Sequence, residues 1–347
     1  MFLINTQIKI NSKNIETKIH KNLKKVKVSL SVDAVNMARV LFYDDPNDSF
    51  LQEHKDFDIG KEISISMGFD KDIKEVFIGE IIRIDYIFEN ATSLVELICY
   101  DKLFKLSRMR YSRPFVKMKD SDIAKKMASE AGLKFDIEAT SRVHEYIFQN
   151  NESNLDFLRR RAERLGYELD IENGKMIFKS ARYKNKKPII SLVWRKELSE
   201  FKLKLDSSEV VEEIVVTSWD PIKKETIEEV TKAGDEIKVI SAKKMATKEV
   251  KKKLKNKAKI YKIDIPNLQN AEAKEIGKSK LTSSSIKFLT ARGVCRGEPL
   301  IKAGKVIKIL GIGEKFSGEY YIVSCEHVYS GDSFKTFFEV VSNGTLE

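Results

Sequence analysis

The sequence predicts an α+β fold in which antiparallel β-strands dominate and a helix-hairpin unit and a Lys-rich helical insert interrupt them. Apolar and polar residues alternate with period two near both ends of the chain. Between these regions, two apolar stripes at helical spacing precede an Asn-Gly hairpin signal. With 347 residues, 42% hydrophobic and 33% charged, the chain is long and apolar enough for about two folded domains.

Strand patterns come first, within residues 1–110. Several short strands separated by turn residues are typical of an antiparallel barrel or sandwich. Turn residues occur at Asp44–Asp48 and Gly68–Asp70, and Gly79 indicates a bulge or a close approach of two backbones. The alternating segments are Lys25–Val32, Ile63–Met67 and parts of Val76–Ile87.

A helix-hairpin unit follows in residues 111–186. The first predicted helix begins at Asp120-Ser121 and ends at Gly132. The second helix opens with Ser153 as its N-cap and Asp156 in a capping-box position, and it stops at Gly166. Asn173-Gly174 then predicts a hairpin over Tyr167–Ser180. The second helix has an outer face that we expect to be solvated, formed by Arg159, Arg160, Arg161 and Arg164.

The C-terminal strand region is split by an insert. Strand character runs from Pro188 to Trp219, turns at Asp220-Pro221, and returns from Gly293 to the end. The insert between them contains two predicted helices. The second helix covers Asn270 to about Ser283. The first helix comes before it and has one apolar face, formed by Ala246, Val250, Leu254 and Ala258.

The formal net charge of +11 is concentrated in this insert. Ten lysines and one acid, Glu249, lie between Lys243 and Lys262, a local net of +9 (10 minus 1) that leaves +2 (11 minus 9) for the rest of the chain. The run contains no Arg, the residue best suited to bidentate phosphate and guanine contacts. A general DNA-reading surface is therefore disfavoured.

Catalytic, cofactor-binding and metal-binding residues are not predicted. Gly311-Ile312-Gly313 is interpreted as a turn, and Gly277-Lys278-Ser279 as part of a helix, because neither has the spacing of a nucleotide-binding loop. Cys325 and His327 lie on one side of a strand, but a buried thiol beside a hydrogen-bonded imidazole is favoured over a metal site. Three cysteines without paired spacing predict buried free thiols, and the sequence lacks a membrane span or signal peptide pattern.

Three segments together resemble phage late control protein D and the hub region of VgrG proteins. One is the helix opening from Phe148 to Tyr167, and another is the strand ending in Trp219-Asp220-Pro221. The C-terminal ending runs through Gly297-Glu298-Pro299-Leu300 to Phe316-Ser317-Gly318-Glu319-Tyr320 and continues with His327 and Tyr329. Their order and spacing, rather than any one motif, carry the resemblance.

The resemblance implies a non-enzymatic structural baseplate hub of a contractile injection machine, made in the bacterial cytoplasm and assembled into a virion or tail-like particle. Two barrel domains per chain, each resembling the tail-tube protein, would form a trimeric ring of pseudo-sixfold symmetry between a trimeric spike and the hexameric tail tube. The implied division is a first barrel over 1–110, a helix-hairpin domain over 111–186, a second barrel split over 187–235 and 290–347, and a Lys-rich helical insert over 236–289.

The same resemblance implies the partners. These are two further copies of the chain, the tail-tube protein, other baseplate proteins and a spike that is expected to be a separate polypeptide, because the sequence ends at Glu347 soon after the second barrel. Stable membrane insertion is not expected, and nucleic acid enters only as cargo in the channel. Two other classes stay open, a cell-wall hydrolase at the tail tip and a basic nucleic-acid-binding protein.

Candidate contact residues lie in the lysine run. Three alternatives remain for these lysines: a solvated helix face, an electrostatic contact with an acidic baseplate neighbour, or a contact with DNA or envelope phosphates. The candidate contacts are Lys251, Lys252, Lys253 and Lys255.

Trp219 is expected to be a buried ring at a strand end.

Overall fold

The computed structural model describes residues 3–32, 34–44, 55–89, 92–180, 187–220, 223–239, 242–253, 260–265 and 268–345. Within these residues the chain is mostly antiparallel β-sheet with few helices, as predicted. A 13-stranded sheet, the large sheet, contains strands from both ends of the chain. None of the described helices is long and apolar enough to cross a membrane.

The N-terminal half of the large sheet contains the predicted alternating strands. The predicted turn at Gly68–Asp70 begins later, because Gly68 and Phe69 still pair and Asp70 takes the positive φ of 51°. Gly79 is a close approach, since a Cβ there would lie 2.3 Å from the Tyr100 carbonyl oxygen. Residues 45–48 of the other predicted turn lie outside the described residues. The elements are β1 (Ile4–Ile10), β2 (Lys13–Asn14), α1 (Thr17–Lys21), β3 (Leu23–Ser31), β4 (Met37–Asp44), β5 (Glu62–Phe69), β6 (Asp72–Glu89) and β7 (Thr92–Tyr100).

The helix-hairpin unit has its own apolar core. Its predicted ends are confirmed, because Ser153 Oγ accepts from the Asp156 N–H at 3.0 Å and Gly132 and Gly166 both have positive φ. Asn173 and Gly174 also have positive φ in the tight hairpin turn. The elements are a 3-10 turn (Lys102–Ser107), β8 (Arg110–Lys119), α2 (Asp120–Glu130), β9 (Lys134–Ile137), β10 (Val143–Ser153), α3 (Asn154–Leu165), β11 (Tyr167–Glu172) and β12 (Lys175–Ser180).

The remaining strands divide between the large sheet and a smaller, three-stranded one. β15, β16 and β18 form the smaller sheet, and its apolar face packs on α5 through Ile214, Val216 and Ile276. Alternation along β15 therefore showed a buried face without showing which element covers it. The elements are β13 (Ser191–Val193), β14 (Leu198–Leu205), β15 (Glu213–Asp220), β16 (Glu225–Lys232), β17 (Lys244–Met245), α4 (Ala246–Lys253), β18 (Ile260–Asp264), α5 (Asn270–Ser285), β19 (Leu289–Arg296), β20 (Val306–Leu310), β21 (Gly318–Ser330), β22 (Ser333–Ser342) and β23 (Gly344–Thr345).

The large sheet contains the same strand order twice. The N-terminal half runs β1-β5-β6-β7-β4-β3, and the C-terminal half runs β13-β20-β21-β22-β19-β14. The two-residue strand β2, which among the described strands pairs only with β1, is left out of this count. Among the six strands of each half, the neighbours are then the first, fourth, fifth, sixth, third and second in chain order. The halves differ at the first strand, because β1 is antiparallel to β5 and also pairs with β2, whereas β13 is parallel to β20. β3 pairs antiparallel with β21 and joins the two halves.

Irregularities in the pairing also repeat between the halves. β3 shifts register against β4 between Leu23 and Lys25, and β14 shifts against β19 between Leu198 and Glu200. β6 shifts register against β7 between Ile81 and Arg83, and β21 shifts against β22 between Ile322 and Ser324. Since bulges are position-specific features of a fold, the halves correspond in register along these two pairs of strands. The shift between Ile65 and Ser66 in the β5–β6 pair has no counterpart in the described pairing of β20 with β21.

Candidate functional site

The outward face of the large sheet is polar where the two halves meet. Lys27 Nζ lies 2.7 Å from a Glu326 carboxylate oxygen across the β3–β21 pair. On the neighbouring strands, Arg292 Nε lies 2.5 Å from Glu339, and Ser324 Oγ donates to Glu339 at 3.3 Å. Both signs of charge are present beside the partly exposed Phe337 ring, which lies opposite Glu326, so this face can contact water and polar partners.

A buried histidine, His327, lies on the core-facing side of the same β3–β21 pair. His327 Nε2 donates to the Ile301 carbonyl oxygen at 2.9 Å, and its Nδ1 lies 2.9 Å from Thr336 Oγ1, which therefore donates to it. Burial lowers the pKa of His327 to about 4, so the ring is neutral near pH 7. Both ring nitrogens thus have hydrogen-bond partners within the protein.

The Cys325 thiol lies beside this ring. Its Sγ is 3.9 Å from His327 Nε2 and donates to the same Ile301 carbonyl oxygen at 3.2 Å. Burial raises the pKa of Cys325 to about 12. Within the described residues no group of three or more His, Cys, Asp or Glu side chains is placed to hold a metal ion. All three cysteines are buried and free, as predicted.

The candidate contact lysines lie on α4 and on the segment that follows it. Lys251, Lys252 and Lys253 are exposed, and Lys253 Nζ lies 3.7 Å from Glu249. Lys255 lies outside the described residues, as do Leu254 and Ala258 of the predicted apolar face. The other two members of that face, Ala246 and Val250, are buried in the main hydrophobic core. The helix is thus anchored on one side and presents lysines on the other.

Arg161 is buried, which corrects the expectation that all four α3 arginines form a solvated face. Its side chain is 4% exposed and makes two contacts with Asp120, Nε to Oδ1 at 2.5 Å and Nη2 to Oδ2 at 3.0 Å. His144 Nε2 donates to Asp120 Oδ2 at 2.8 Å. Arg161 follows Phe157 by four positions and Leu158 by three, so the helical spacing itself contained a signal for this orientation.

Asp120 is kept ionised by this cluster. Burial raises the pKa of its carboxyl group, but the hydrogen bonds from His144 and Arg161 outweigh burial and lower the pKa to about 2. The three residues come from α2, β10 and α3, so the cluster ties together the elements of the helix-hairpin unit. A sequence search for catalytic motifs does not find it, because each group is far from the others along the chain.

Further ion pairs dock the helix-hairpin unit onto the rest of the chain. Lys280 of α5 lies 2.5 Å from Glu163, and Ser279 Oγ donates to the Glu163 carbonyl oxygen at 2.8 Å. Lys305 pairs with Glu172 of the hairpin. The unit is therefore held from two sides, by the α5 region and by the C-terminal half of the large sheet.

Trp219 is 51% exposed, so the expectation of a buried ring is wrong. Its neighbours Val216 and Ser218 face α5, and the alternation of β15 places Trp219 on the opposite face of the small sheet. The strand does end at Asp220, as predicted. The other motif assignments are confirmed, since Gly277 lies within α5 and Gly311 and Gly313 follow β20 with positive φ.

Comparison with protein families gives one match over most of the chain. Residues 2–330 match the family model described as the Alg8 N-terminal domain. The chain belongs to the Alg8 N-terminal domain family. No curated protein sequence matches it.

Solved structures show which fold this member of the Alg8 N-terminal domain family has. The prophage MuSo2 43 kDa tail protein from Shewanella oneidensis matches with a TM-score of 0.72 and 14% identity, covering 98% of both chains. The tail protein from Neisseria meningitidis MC58 matches with a TM-score of 0.73 and 11% identity, covering 98% of this chain and 97% of that chain. The fold is therefore that of phage tail proteins.

A third structure comes from a secretion apparatus. It is an E. coli protein described as a component of the type VI secretion system with structural similarity to the T4 bacteriophage tail proteins gp27 and gp5. The match has a TM-score of 0.61 and 10% identity, and it covers 98% of this chain and 76% of that chain. At these identities the likeness concerns the fold alone.

Proposed function

We propose that this chain is the structural baseplate hub of a contractile tail or tail-like particle. Three copies form a ring that joins a trimeric spike to the hexameric tail tube. The observation that carries this proposal is the doubled strand order of the large sheet, with its repeated bulges. Each six-stranded half corresponds to one tube-like barrel, so three chains supply six similar units and convert threefold into approximate sixfold symmetry.

The structural likenesses support a tail role. Two tail proteins share the fold over nearly their whole lengths, and a type VI secretion component shares it as well. The sequence motifs add the narrower resemblance to late control protein D and to the VgrG hub region. Together they favour a place in the baseplate, with spike, tube and other baseplate proteins as partners.

The polar outward face fits a channel wall. It carries charges of both signs that are paired across strands, such as Lys27 with Glu326 and Arg292 with Glu339. Such paired charges keep the surface hydrated, as a channel wall requires. The proposed role is structural rather than enzymatic, and the protein is made in the bacterial cytoplasm before assembly into the particle.

Mass in solution together with low-resolution imaging tests this function. The expected result is a trimer that appears as a ring with a central channel. Mixing it with the spike and tube proteins of the same particle should give a complex in which the hub lies between them. A monomer without a channel in the assembled particle, or a trimer that binds no spike protein from its own particle, would overturn the proposal.

A further inference from the structure

We propose that copies of this chain join through backbone pairing of β14 in one copy with residues 81–89 of β6 in the next. This inference rests on the proposed ring-forming function and specifies the strands and the register of its contacts. The contact between copies would then have the same geometry as the β3–β21 pair, which joins the two halves within one chain.

The joint within the chain shows the rule. β3, the second strand of the N-terminal half, pairs with β21, the fifth strand of the C-terminal half. The corresponding second strand of the C-terminal half is β14, and the corresponding fifth strand of the N-terminal half is β6. Among the described strands, β14 pairs along its length only with β19, and β6 beyond Ile81 pairs only with β7. Both therefore present an open edge to a further strand.

Register assigns the equivalent residues on the two second strands. On β3 the irregularity begins at Leu23, and Val26 and Val28 follow it by three and five residues. Val26 pairs with Val40 of β4, and Val28 pairs with Ala38. Phe201 and Leu203 occupy the same places relative to Leu198 on β14. One alternation further, Leu205 corresponds to Leu30. Val26, Val28 and Leu30 are all buried against the main core.

The same counting assigns the fifth strands. Ser324 and Arg83 each follow the irregularity directly, so Cys325 corresponds to Ile84, His327 to Tyr86 and Tyr329 to Phe88. His327, which pairs with Val28 of β3, is 0% exposed. Tyr86 is 41% and Phe88 67% exposed, although Tyr86 pairs with buried Val95 on the core-facing side. Exposed aromatic rings on a core-facing side indicate a missing neighbour.

Transferring the β3–β21 register to the open edges gives apolar pairs on the core-facing side. Each pair brings a residue of β14 against one of β6 in the next copy. The strand would cover Tyr86 and Phe88 as β3 covers their counterparts, and Leu205, which is 41% exposed, would be covered in return. The apolar pairs are Leu205 with Ile84, Leu203 with Tyr86, and Phe201 with Phe88.

The outward side of the same register brings opposite charges together. Lys204 faces Asp85 of the next copy, and Asp206 faces Arg83. In the single chain these groups pair along their own strands instead, Lys204 with Asp206 at 2.5 Å and Arg83 with Asp85 at 3.1 Å. At the joint within the chain, Lys27 and Glu326 also make an outward ion pair, between diagonal neighbours of β3 and β21. These two pairs of opposite charge are thus compatible with the register that the apolar pairs require.

The contact is head-to-tail, because β14 and β6 are different edges of one sheet. Such heterologous contacts close into a ring when the rotation between copies allows it. Because the joint between copies repeats the joint within the chain, the rotation from one half to the next stays similar around the whole ring.

Disulfide trapping of Lys204→Cys with Asp85→Cys tests the register. The two positions lie on opposite edges of the sheet in one chain, so oxidised glutathione can link them only between copies. We expect covalent dimers and trimers that disappear on reduction. Lys204→Cys with Glu89→Cys is the matched control, since Glu89 lies four residues, roughly 13 Å, along the strand. The native thiols are buried and free.

The outcomes separate this inference from the proposed function. Linking in the Asp85 pair without linking in the Glu89 pair supports the contact. Ring-shaped trimers that give no link, or that link equally in both pairs, overturn the proposed contact but leave the hub function standing. A chain that stays monomeric in solution and in the particle overturns the hub function itself.

Discussion

Arg161 on α3 binds the carboxylate of Asp120 at the first residue of α2, with Nε and Nη2 at 2.5 and 3.0 Å from the two oxygens. Both side chains are almost fully buried. A buried pair of this kind is costly to disrupt from one side, because the remaining charge has no solvent to stabilise it. The stability of the helix-hairpin unit therefore depends on an ion pair as well as on its apolar core.

Replacing Arg161 should lower stability sharply. Arg161→Met keeps most of the side-chain volume but removes two of the three hydrogen bonds described for the buried Asp120 carboxylate, and we expect a loss of about 3 kcal/mol in the free energy of unfolding. Urea unfolding followed by circular dichroism measures it. Arg160→Met is the control, because Arg160 is 43% exposed and its pair with Glu152 is worth less than about 1 kcal/mol. Equal effects of the two substitutions would contradict a buried role for Arg161.

Local signals explain which parts of the fold were predictable. The Ser153 cap, the glycines that end α2 and α3 and the Asn173-Gly174 turn depend on interactions within a few residues, so the sequence contains them directly. Strand alternation likewise reports one buried face. It does not report which element covers that face, and β15 therefore pairs in a sheet that the sequence did not separate from the large one.

Long-range partners were beyond the same reasoning. Arg161 and Asp120 are separated by 41 residues, and a run of arginines on a helix reads as a solvated face until the partner is known. The doubled strand order is equally hidden. Val26 and Val28 of β3 correspond to Phe201 and Leu203 of β14, so apolar character is retained while residue identity is not. Only the pairing registers reveal the equivalence.

His327 should make stability depend on pH. Burial lowers its folded-state pKa to about 4, below the ordinary value of about 6.5. Between these values the unfolded chain binds a proton that the folded chain does not, so stability is highest above about pH 6.5 and falls as the pH drops to about 4. The contribution is about 3 kcal/mol at most.

His327→Gln removes this titration and retains a donor for the Ile301 carbonyl oxygen. The expected result is a shallower fall of the free energy of unfolding between about pH 6.5 and 4. Unfolding curves of both proteins at several pH values measure the difference. An unchanged slope in the variant would show that other groups cause the pH dependence.

The lysines of α4 should be dispensable for folding. Replacing Lys251, Lys252, Lys253 and Lys255 together with Gln should change stability by less than about 0.5 kcal/mol, because the described three are exposed. Val250→Asp is the contrasting change, since Val250 is buried and a charge there should destabilise the protein by several kcal/mol.

Particle assembly of the four-lysine variant then separates the three interpretations of the run. Normal assembly with normal infection or killing is expected for a solvated face. Failed assembly at unchanged stability would indicate an acidic baseplate neighbour. Normal assembly with lost activity would instead indicate contact with DNA or envelope phosphates, and a salt-sensitive gel shift with duplex DNA would support that reading.

Charge reversal at the open edges tests the contact between copies without cysteines. Lys204→Asp should weaken self-association at least tenfold, because it places two acids opposite each other in the proposed register. Asp85→Lys should do the same by opposing two lysines. Both residues lie on the outward side of edge strands and neither belongs to the core, so each variant should fold normally. Analytical ultracentrifugation over a range of concentrations gives the association constants.

The double variant, Lys204→Asp with Asp85→Lys, decides the matter because it restores opposite charges across the contact in reversed order. If β14 and β6 meet in the register of β3 and β21, association should recover most of what each single change removes. As a control, Lys27→Asp with Asp85→Lys should not recover association, because Lys27 lies at the joint within the chain and contacts Glu326 diagonally. Additive weakening in the Lys204 and Asp85 double variant would mean that the two edges meet other partners in the ring.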